Sequence, residues 1–416
     1  MRLIVQKYGG TSVATPERIC NVARRIIETQ REGCRVVAVI SAMAGVTDEL
    51  IKLARAVSPH PTDRELDILL ATGEHAATAL TTMAVNALGG TAISLTGAQA
   101  GILTDRNHSK ARIANISPKQ IHEMLSEDYI VIVAGFQGQT PEGETTTLGR
   151  GGSDLTAIAL AGALNADVCQ IFTDVDGVFT CDPRAVLAAK KLDEIAYDEL
   201  LEMASAGSKV VQSRAVEFAK KFGVEFEVRS TFNRRAGTIA KEETTSMEDV
   251  VIRGISLDRH QAKLTIAGVR DEPGIAGRIF SNIAAAHIIV DMIVQNASIG
   301  GTTDISFTIH EDELENARKI LMPVVGEIGA KRLNTASGMA KLSVVGIGMR
   351  SHSGVAAHLF ECLGKAGINI QLVSTSEIKI AVIIDEKDLE RAAQLTHQEF
   401  GLANPAAAAS AMQPLA

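Results

Sequence analysis

The stretch RLIVQKYGGTSVATPERICNVARRIIETQREGCRVVAVI, residues 2–40, decides how the rest of the chain is read. It opens with a short apolar strand over 2–6 and turns at Gly9 and Gly10. It then enters a helix over 16–32 with Pro16 at its start, a position that has no use for the missing amide hydrogen. It closes on RVVAVI, residues 35–40, an uninterrupted apolar run of the kind a strand buried on both faces requires. Helical patterns at 65–88, 117–126 and 153–165 and strand patterns at 91–95, 129–134 and 168–173 continue the alternation. The reading is an α/β fold over residues 1–245, with a mostly parallel sheet sandwiched by helices.

Composition narrows the class. The chain has 416 residues, too many for one core, and 46% of them are hydrophobic. Aromatic residues are 3% and Trp is absent, so the cores must be built from Ala, Val, Ile and Leu. A net charge of −8 without a basic stripe excludes nucleic acid as a partner. The five cysteines, Cys20, Cys34, Cys169, Cys181 and Cys362, form no C-x-x-C pair, so neither a zinc site nor a disulfide framework is indicated. The N-terminus reads as a strand and glycines rather than a signal peptide, and no apolar run reaches the roughly 18 residues that span a bilayer. The expectation is a soluble, cytoplasmic protein without a membrane partner.

Beyond the polar stretch KEETTSMED the pattern changes to an internal repeat. Residues 274–293, GIAGRIFSNIAAAHIIVDMI, align without a gap on 354–373, GVAAHLFECLGKAGINIQLV. Each copy follows one strand and precedes another, and an amphipathic helix completes it, with Leu314 matching Leu389. This is a β-α-β-β-α unit of ferredoxin-like α+β type, present twice, over 246–335 and 336–402. Residues 403–416 are Ala-rich and read as a disordered tail.

Three motifs carry chemistry. In Lys7-Tyr8-Gly9-Gly10-Thr11-Ser12 a lysine ends the first strand beside glycines whose exposed amides suit phosphate oxygens. A glycine turn with a solvated lysine reads the same residues. In Gly149-Arg150-Gly151-Gly152-Ser153-Asp154 a glycine-rich loop enters a helix N-terminus, where free amides and the helix dipole favour anions, and Arg150 adds a fork for a carboxylate. Ser153 or Asp154 could equally be a plain helix cap. The strand over 168–173 delivers Thr173 and Asp174 to its carboxyl end, where ligands bind in open α/β sheets. Its continuation holds an Asp-Gly turn at Asp176-Gly177 and the run Phe179, Asp182, Arg184. Ser41 follows the second strand. Glu74, alone on a helix, has solvated surface as its plain reading, and Lys209 either reaches phosphate or is simply exposed.

KYGGTS, VISAMAGVTDEL, TGE, TLGRGGSDLTA, FTDVDGVFTCDPR and GSKVVQSRAVEFA occur in the order and spacing seen in aspartate kinases, which the chain resembles from Lys7 to about Gly401. The paired repeats resemble that family's two ACT domains. With no long extension, the resemblance is to the monofunctional form rather than the fusion with homoserine dehydrogenase. The resemblance implies the amino-acid-kinase fold and transfer of a phosphoryl group from Mg2+-bound ATP to the side-chain carboxylate of L-aspartate. Lys7 and the backbone at Tyr8, Gly9, Gly10 and Ser12 would meet the phosphates. Asp174 would orient the lysines and Lys209 would add a second positive charge. Thr173, Asp174, Phe179, Asp182 and Arg184 would lie near ATP. Ser41, Thr47, Glu74, Arg150, Gly151, Gly152 and Ser153 would hold aspartate, with Arg150 on the α-carboxylate and Glu74 on the ammonium. Phe179 stands where relatives often carry Tyr. Cys181 replaces a small residue such as Ala, which suggests sensitivity to thiol reagents.

The ACT resemblance also implies an effector amino acid, lysine or threonine or both. Asp271, Gly274, Ile275 and Ala276 in the first repeat are the main candidate contacts, with Asp291, Gln295, Asn296, Asn369 and Ile370 as neighbours. The second copy reads Ser351-His352-Ser353-Gly354 and lacks the acid and the proline, so the copies need not be equivalent. Sheet edges left open by such units imply a homo-oligomer, and Met247 could start a separate regulatory subunit. Competing readings are a kinase for another amino acid such as glutamate, for which tandem ACT repeats are not expected, and a non-catalytic sensor, which would be expected to lose Lys7, Asp174 or Arg150. A dinucleotide-binding dehydrogenase would need a G-x-G-x-x-G after the first strand, and none is there.

Overall fold

The structure, a computed structural model, describes residues 1–208, 210–244, 251–296 and 300–403. Lys209, Met247 and the tail from residue 404 lie outside the described residues. Two compact bodies divide the chain. The first holds most of residues 1–245. The second holds the repeats together with Phe179–Lys190 and Ser205–Ser208, two segments the contiguous boundary at 245 had placed in the first.

In the first body β1 (Leu3–Tyr8), α1 (Pro16–Arg31) and β2 (Arg35–Ile40) form the βαβ unit read from the sequence. Thr15 caps α1 and Pro16 opens it. Helices α2 (Val46–Val57) and α3 (Asp63–Ala87) follow, then β3 (Ala92–Leu95), β4 (Ile102–Thr104), β5 (Ile113–Ile116), α4 (Lys119–Ser126) and β6 (Ile130–Ala134). Next come β7 (Gln137–Gln139), β8 (Thr145–Thr147), α5 (Gly152–Ala163), β9 (Val168–Thr173), β10 (Glu194–Ala196), α6 (Tyr197–Ser205), α7 (Ser213–Phe222), β11 (Phe226–Ser230) and β12 (Thr238–Lys241). Eight strands make the main sheet, in the order β10-β12-β11-β9-β1-β2-β6-β3. Every neighbouring pair is parallel except β11 with β12. β1 and β6 are buried along their whole length and β2 along all but its first residue, as a sheet covered on both faces demands. The strand order reverses about β1, which lies between β9 and β2 and runs parallel to both, so the carboxyl ends of these three strands meet at a switch point.

The second body holds β13 (Gly254–Arg270), α8 (Ile275–Ala285), β14 (Val290–Gln295), β15 (Thr302–His310), α9 (Leu314–Glu327), β16 (Arg332–Val345), α10 (Val355–Lys365), β17 (Leu372–Thr375), β18 (Lys379–Asp385) and α11 (Leu389–Glu399). The β-α-β-β-α unit is present twice, as read. The two copies are not separate sheets, however. One antiparallel sheet runs β14-β15-β13-β16-β18-β17. The long strands β13 and β16 pair twice, Gly254–Asp258 with Lys341–Val345 and Lys263–Ala267 with Arg332–Ala336, with register breaks between. Each repeat therefore borrows a fourth strand from the other, and a boundary at 335/336 falls inside β16. Ile252 and Ile255, ahead of the first repeat, pack in the core of the second.

Cys181 and Val186 belong to that same core, and Ile255 donates its amide to the Thr180 carbonyl. The Thr180 hydroxyl lies 2.9 Å from Nε2 of the buried His397 on α11. This corrects the expected thiol sensitivity of Cys181. Its side chain is buried, and burial pushes the thiol up to about 12, so little reactive thiolate exists near neutral pH. Alkylation of the folded protein, read by peptide mass spectrometry, is expected to label the partly exposed Cys20, Cys34 and Cys362 and leave Cys181 unmodified. Activity loss that tracks labelling of Cys181 would reverse this assignment.

Candidate active site

The site is built on the carboxyl ends of β1, β2, β6 and β9. Gly9 donates its amide to the Phe172 carbonyl, Ser41 to that of Tyr8, and Gly135 to that of Ile40, so the turns are tied strand to strand. A Cβ on Gly10 would come within 2.7 Å of the Ala42 carbonyl oxygen, so the close approach of the first two turns needs glycine there. Tyr8 itself is core: it is fully buried, stacks on Phe172 at 4.8 Å and donates its hydroxyl to Gln6. Only its backbone can serve a nucleotide. Ser12 is likewise buried, its hydroxyl 2.6 Å from that of Thr231.

Lys7 does not extend into solvent. It is 8% exposed, and its Nζ lies 2.6 Å from Oδ1 of Asp154 on the first turn of α5. Sequence reading had left Asp154 as a possible helix cap and given the orienting role to Asp174. The geometry reassigns the partner of Lys7 to Asp154. Asp174 is exposed and accepts a hydrogen bond from the Thr173 hydroxyl. Asp154 Oδ2 also accepts the backbone amide of Gln212 at 3.3 Å. Gly151 stands in the left-handed region (φ 68°) as the residue before α5, so the chain turns sharply into the helix there.

The expected aspartate contacts fall into two groups. Ser41 and Ser153, both buried, share a hydrogen bond of 2.7 Å between β2 and α5. Glu74 is 5% exposed on α3, not the solvated helix residue that its isolation in the sequence suggested. It accepts the Ala42 amide, and its Oε2 is buried without a partner. Desolvation pushes its carboxyl up to about 8, against the opposing pull of that amide and of the Lys7 charge. Arg150, by contrast, is exposed, and its nearest acid is Asp48 at 3.8 Å on the first turn of α2, next to Thr47. Its guanidinium is free to meet an anion arriving from solvent.

One supporting residue went unread in the sequence. Asp67 on α3 is fully buried and takes the Ser109 amide at 3.0 Å, the Thr147 hydroxyl and Nδ1 of His108 at 2.9 Å. Arg214 braces the same loop by donating to the carbonyls of Leu148 and Ala111. Together they fix the backbone on which Gly149 and Arg150 sit. No sequence signal marks Asp67, because its partners come from a loop 41 residues away and a strand 80 residues away.

Phe179, Asp182 and Arg184 belong to the second body, where Arg184 closes on Asp182 through two nitrogens at 2.9 and 3.1 Å. Of the expected effector contacts, Asp271, Gly274, Ile275, Ala276 and Gln295 line one cavity of about 470 Å3 with Thr303. Asn296 follows β14, and its carbonyl accepts the Thr303 hydroxyl. Asp291 is engaged by the buried Lys341, which also reaches Asp258 at 3.5 Å. Asn369 and Ile370 do not line that cavity. They lie in the segment before β17, and Ile370 packs on the core of the second repeat.

Comparison with known proteins agrees with this division. Residues 2–230 match the amino acid kinase family, and residues 264–322 and 342–400 each match an ACT domain. An aspartate kinase of Stutzerimonas stutzeri (strain A1501) is 51% identical over 407 residues, covering 98% of this chain and 99% of that one. The aspartokinase of Pseudomonas aeruginosa is 51% identical over 408 residues with the same coverage. Among solved structures, E. coli aspartokinase III in complex with aspartate and ADP superposes with a TM-score of 0.80 at 26% identity, covering 96% of this chain and 99% of that chain. The chain belongs to the aspartate kinases of the amino acid kinase family, with ACT domains in its C-terminal part.

Proposed function

We propose that this enzyme transfers the γ-phosphoryl group of ATP to the side-chain carboxylate of L-aspartate, giving 4-phospho-L-aspartate. This would be the first step toward lysine, threonine and methionine. The observation that carries the reading is the convergence of the Lys7–Asp154 pair with the start of α5 and the buried carboxylate of Glu74, whose Oε2 has no partner. The acceptor carboxylate is ionised at neutral pH and needs no general base. The barrier is repulsion between two anions, so catalysis reduces to alignment and to cations fixed where charge collects. Lys7, held by Asp154, supplies one such charge without reorganising, and Lys209 is proposed as a second. The amides of Gly9 and Gly10 and the start of α5 supply oriented dipoles. Glu74 takes the substrate ammonium, Arg150 closes on the α-carboxylate, and Ser41, Thr47 and Ser153 fix the rest. The relative solved with aspartate and ADP supports this pairing of ligands. Mg2+ travels with ATP, and the exposed carboxylate of Asp174 offers the hard oxygen donor that it prefers. When bound, the ion supplies charge neutralisation at the phosphates.

The cavity at Asp271, Gly274 and Gln295 is proposed as the effector site, with lysine, threonine or both as ligands. E. coli aspartokinase III solved with lysine and aspartate, which superposes with a TM-score of 0.77, supports an amino-acid effector. A cytoplasmic homo-oligomer formed through the ACT domains, with or without a regulatory subunit started at Met247, completes the proposal. No helix among the described residues is long and apolar enough to cross a membrane. The test is ADP release by the purified full chain with Mg-ATP and L-aspartate, run beside L-glutamate and repeated with lysine, threonine and both. Aspartate-dependent turnover that glutamate does not match is expected, with inhibition by at least one effector. Absence of aspartate-dependent turnover would overturn the catalytic reading, and turnover indifferent to both amino acids would overturn the effector reading.

A further inference from the structure

The second body contains a set of side chains that neither the kinase reaction nor the effector cavity uses. His260, Glu311 and Glu386 each offer one ligand atom, and the three atoms lie within 4.8 Å of one another. The residues are remote in sequence and come from two turns and one strand. Glu311 opens the 3-10 turn between β15 and α9, and Glu386 opens the corresponding turn between β18 and α11 in the other repeat. His260 sits where β13 passes from one repeat to the other, at the register break between Asp258 and Gln261.

We propose that His260, Glu311 and Glu386 hold a divalent transition-metal ion of the zinc class, which joins the two repeats at their junction. The donor set is one imidazole nitrogen and two carboxylates with room for water, a set that suits zinc, cobalt or nickel better than magnesium. Both carboxylates are oriented from behind by backbone. Glu311 Oε1 accepts the Gly338 amide at 3.1 Å, and Glu386 Oε2 accepts the His260 amide at 3.3 Å, which leaves Glu386 Oε1 facing His260 Nδ1 at 3.6 Å. Such amide contacts hold metal-ligating carboxylates in place. The neighbouring cations are turned elsewhere, Arg259 to Glu390 at 2.8 Å and Lys387 to Asp385 at 3.5 Å. Two carboxylates thus converge on a histidine with a cation's place between them. Bonds of about 2.0–2.2 Å would draw the donors closer than they stand, a change that rotation of either glutamate supplies.

The test uses the full chain, stripped with a chelator and titrated with Co2+, with Zn2+ as a second probe. One equivalent of Co2+ per chain with a visible spectrum of nitrogen and oxygen ligation is expected, together with a rise in Tm on Zn2+ addition that Mg2+ does not give. His260 has a φ of 60°, a conformation that asparagine tolerates, so His260→Asn removes the imidazole without straining the turn. Glu311→Gln changes only a partly exposed carboxylate and provides a second variant whose fold is not at risk. Both variants are expected to lose the spectrum and the Tm rise while keeping effector-free kinase activity. No Co2+ uptake, uptake unchanged in both variants, or a thiolate charge-transfer band marking one of the five cysteines would each overturn the proposal. In the first case the cluster would be a polar contact of two carboxylates with an imidazole and nothing more.

Discussion

Asp154→Asn is expected to lower kcat on the order of 10²–10³-fold while changing the KM for aspartate little, the loss found when one fixed charge-stabilising group is removed from a preorganised site. Asparagine keeps the volume and one acceptor oxygen but removes the charge that compensates Lys7. Lys7 is 8% exposed and its Nζ is 2.6 Å from the carboxylate, so the ammonium would be left buried beside a dipole. It would then swing away from the transferring group. A stability loss of about 3 kcal/mol should accompany the change, because breaking one side of a buried pair leaves an uncompensated charge. Asp174→Asn is the control. If orienting Lys7 belongs to Asp174, its variant will lose kcat at constant KM and Asp154→Asn will not. The geometry predicts the opposite, with Asp174→Asn acting mainly on the nucleotide and on Mg2+ dependence. Lys7→Met and Asp154→Asn combined should cost scarcely more than Lys7→Met alone, since the two residues act as one unit.

What the sequence disclosed and what it withheld follow from the range of the interactions concerned. The βαβ opening was legible because Pro16, the 3.6-residue periodicity of α1 and the apolar run of β2 are all local. The repeats were legible for the same reason. The short sheet β5-β4-β7-β8 was not, since its strands are three or four residues long and carry no alternation. Helix α2 lay hidden in VTDELIKLARAV, of which only VTDEL was read, and as motif rather than as helix. The fusion of the two repeats into one sheet was also out of reach. It depends on β13 and β16 each serving both halves, a pairing that period alone cannot reveal. In the site, Lys7, Ser41, Ser153 and Glu74 were named from motifs. Their grouping was not visible, because Asp154 reads locally as a helix cap and Glu74 as a solvated helix residue. Both are decided by burial against elements distant in the chain.

Glu74→Gln is expected to raise the KM for aspartate roughly tenfold to a hundredfold, the range for a hydrogen bond to a charged group, with a smaller effect on kcat. The unusual part is the pH dependence. Without ligand the Glu74 carboxyl is pushed up to about 8 by burial, so most of it carries a proton at neutral pH. An ammonium group arriving beside it favours the ionised form, so aspartate binding must release that proton. The KM for aspartate should therefore fall as pH rises toward about 8 and level off above it, and the Gln variant should be flat over the same range. The profile is taken below the range in which the substrate's own ammonium titrates. Calorimetry in two buffers of different ionisation enthalpy would read the released proton directly. Stability runs the other way. Because the folded-state value is raised, the protonated carboxyl favours folding at low pH, and this contribution is lost as pH rises through about 8. The Gln variant should therefore gain on the parent in Tm across that interval even as it loses affinity for aspartate. A parent enzyme whose aspartate KM ignores pH, or a Gln variant with unchanged KM, would remove Glu74 from the ammonium site. Its unpartnered oxygen would then need another ligand to face.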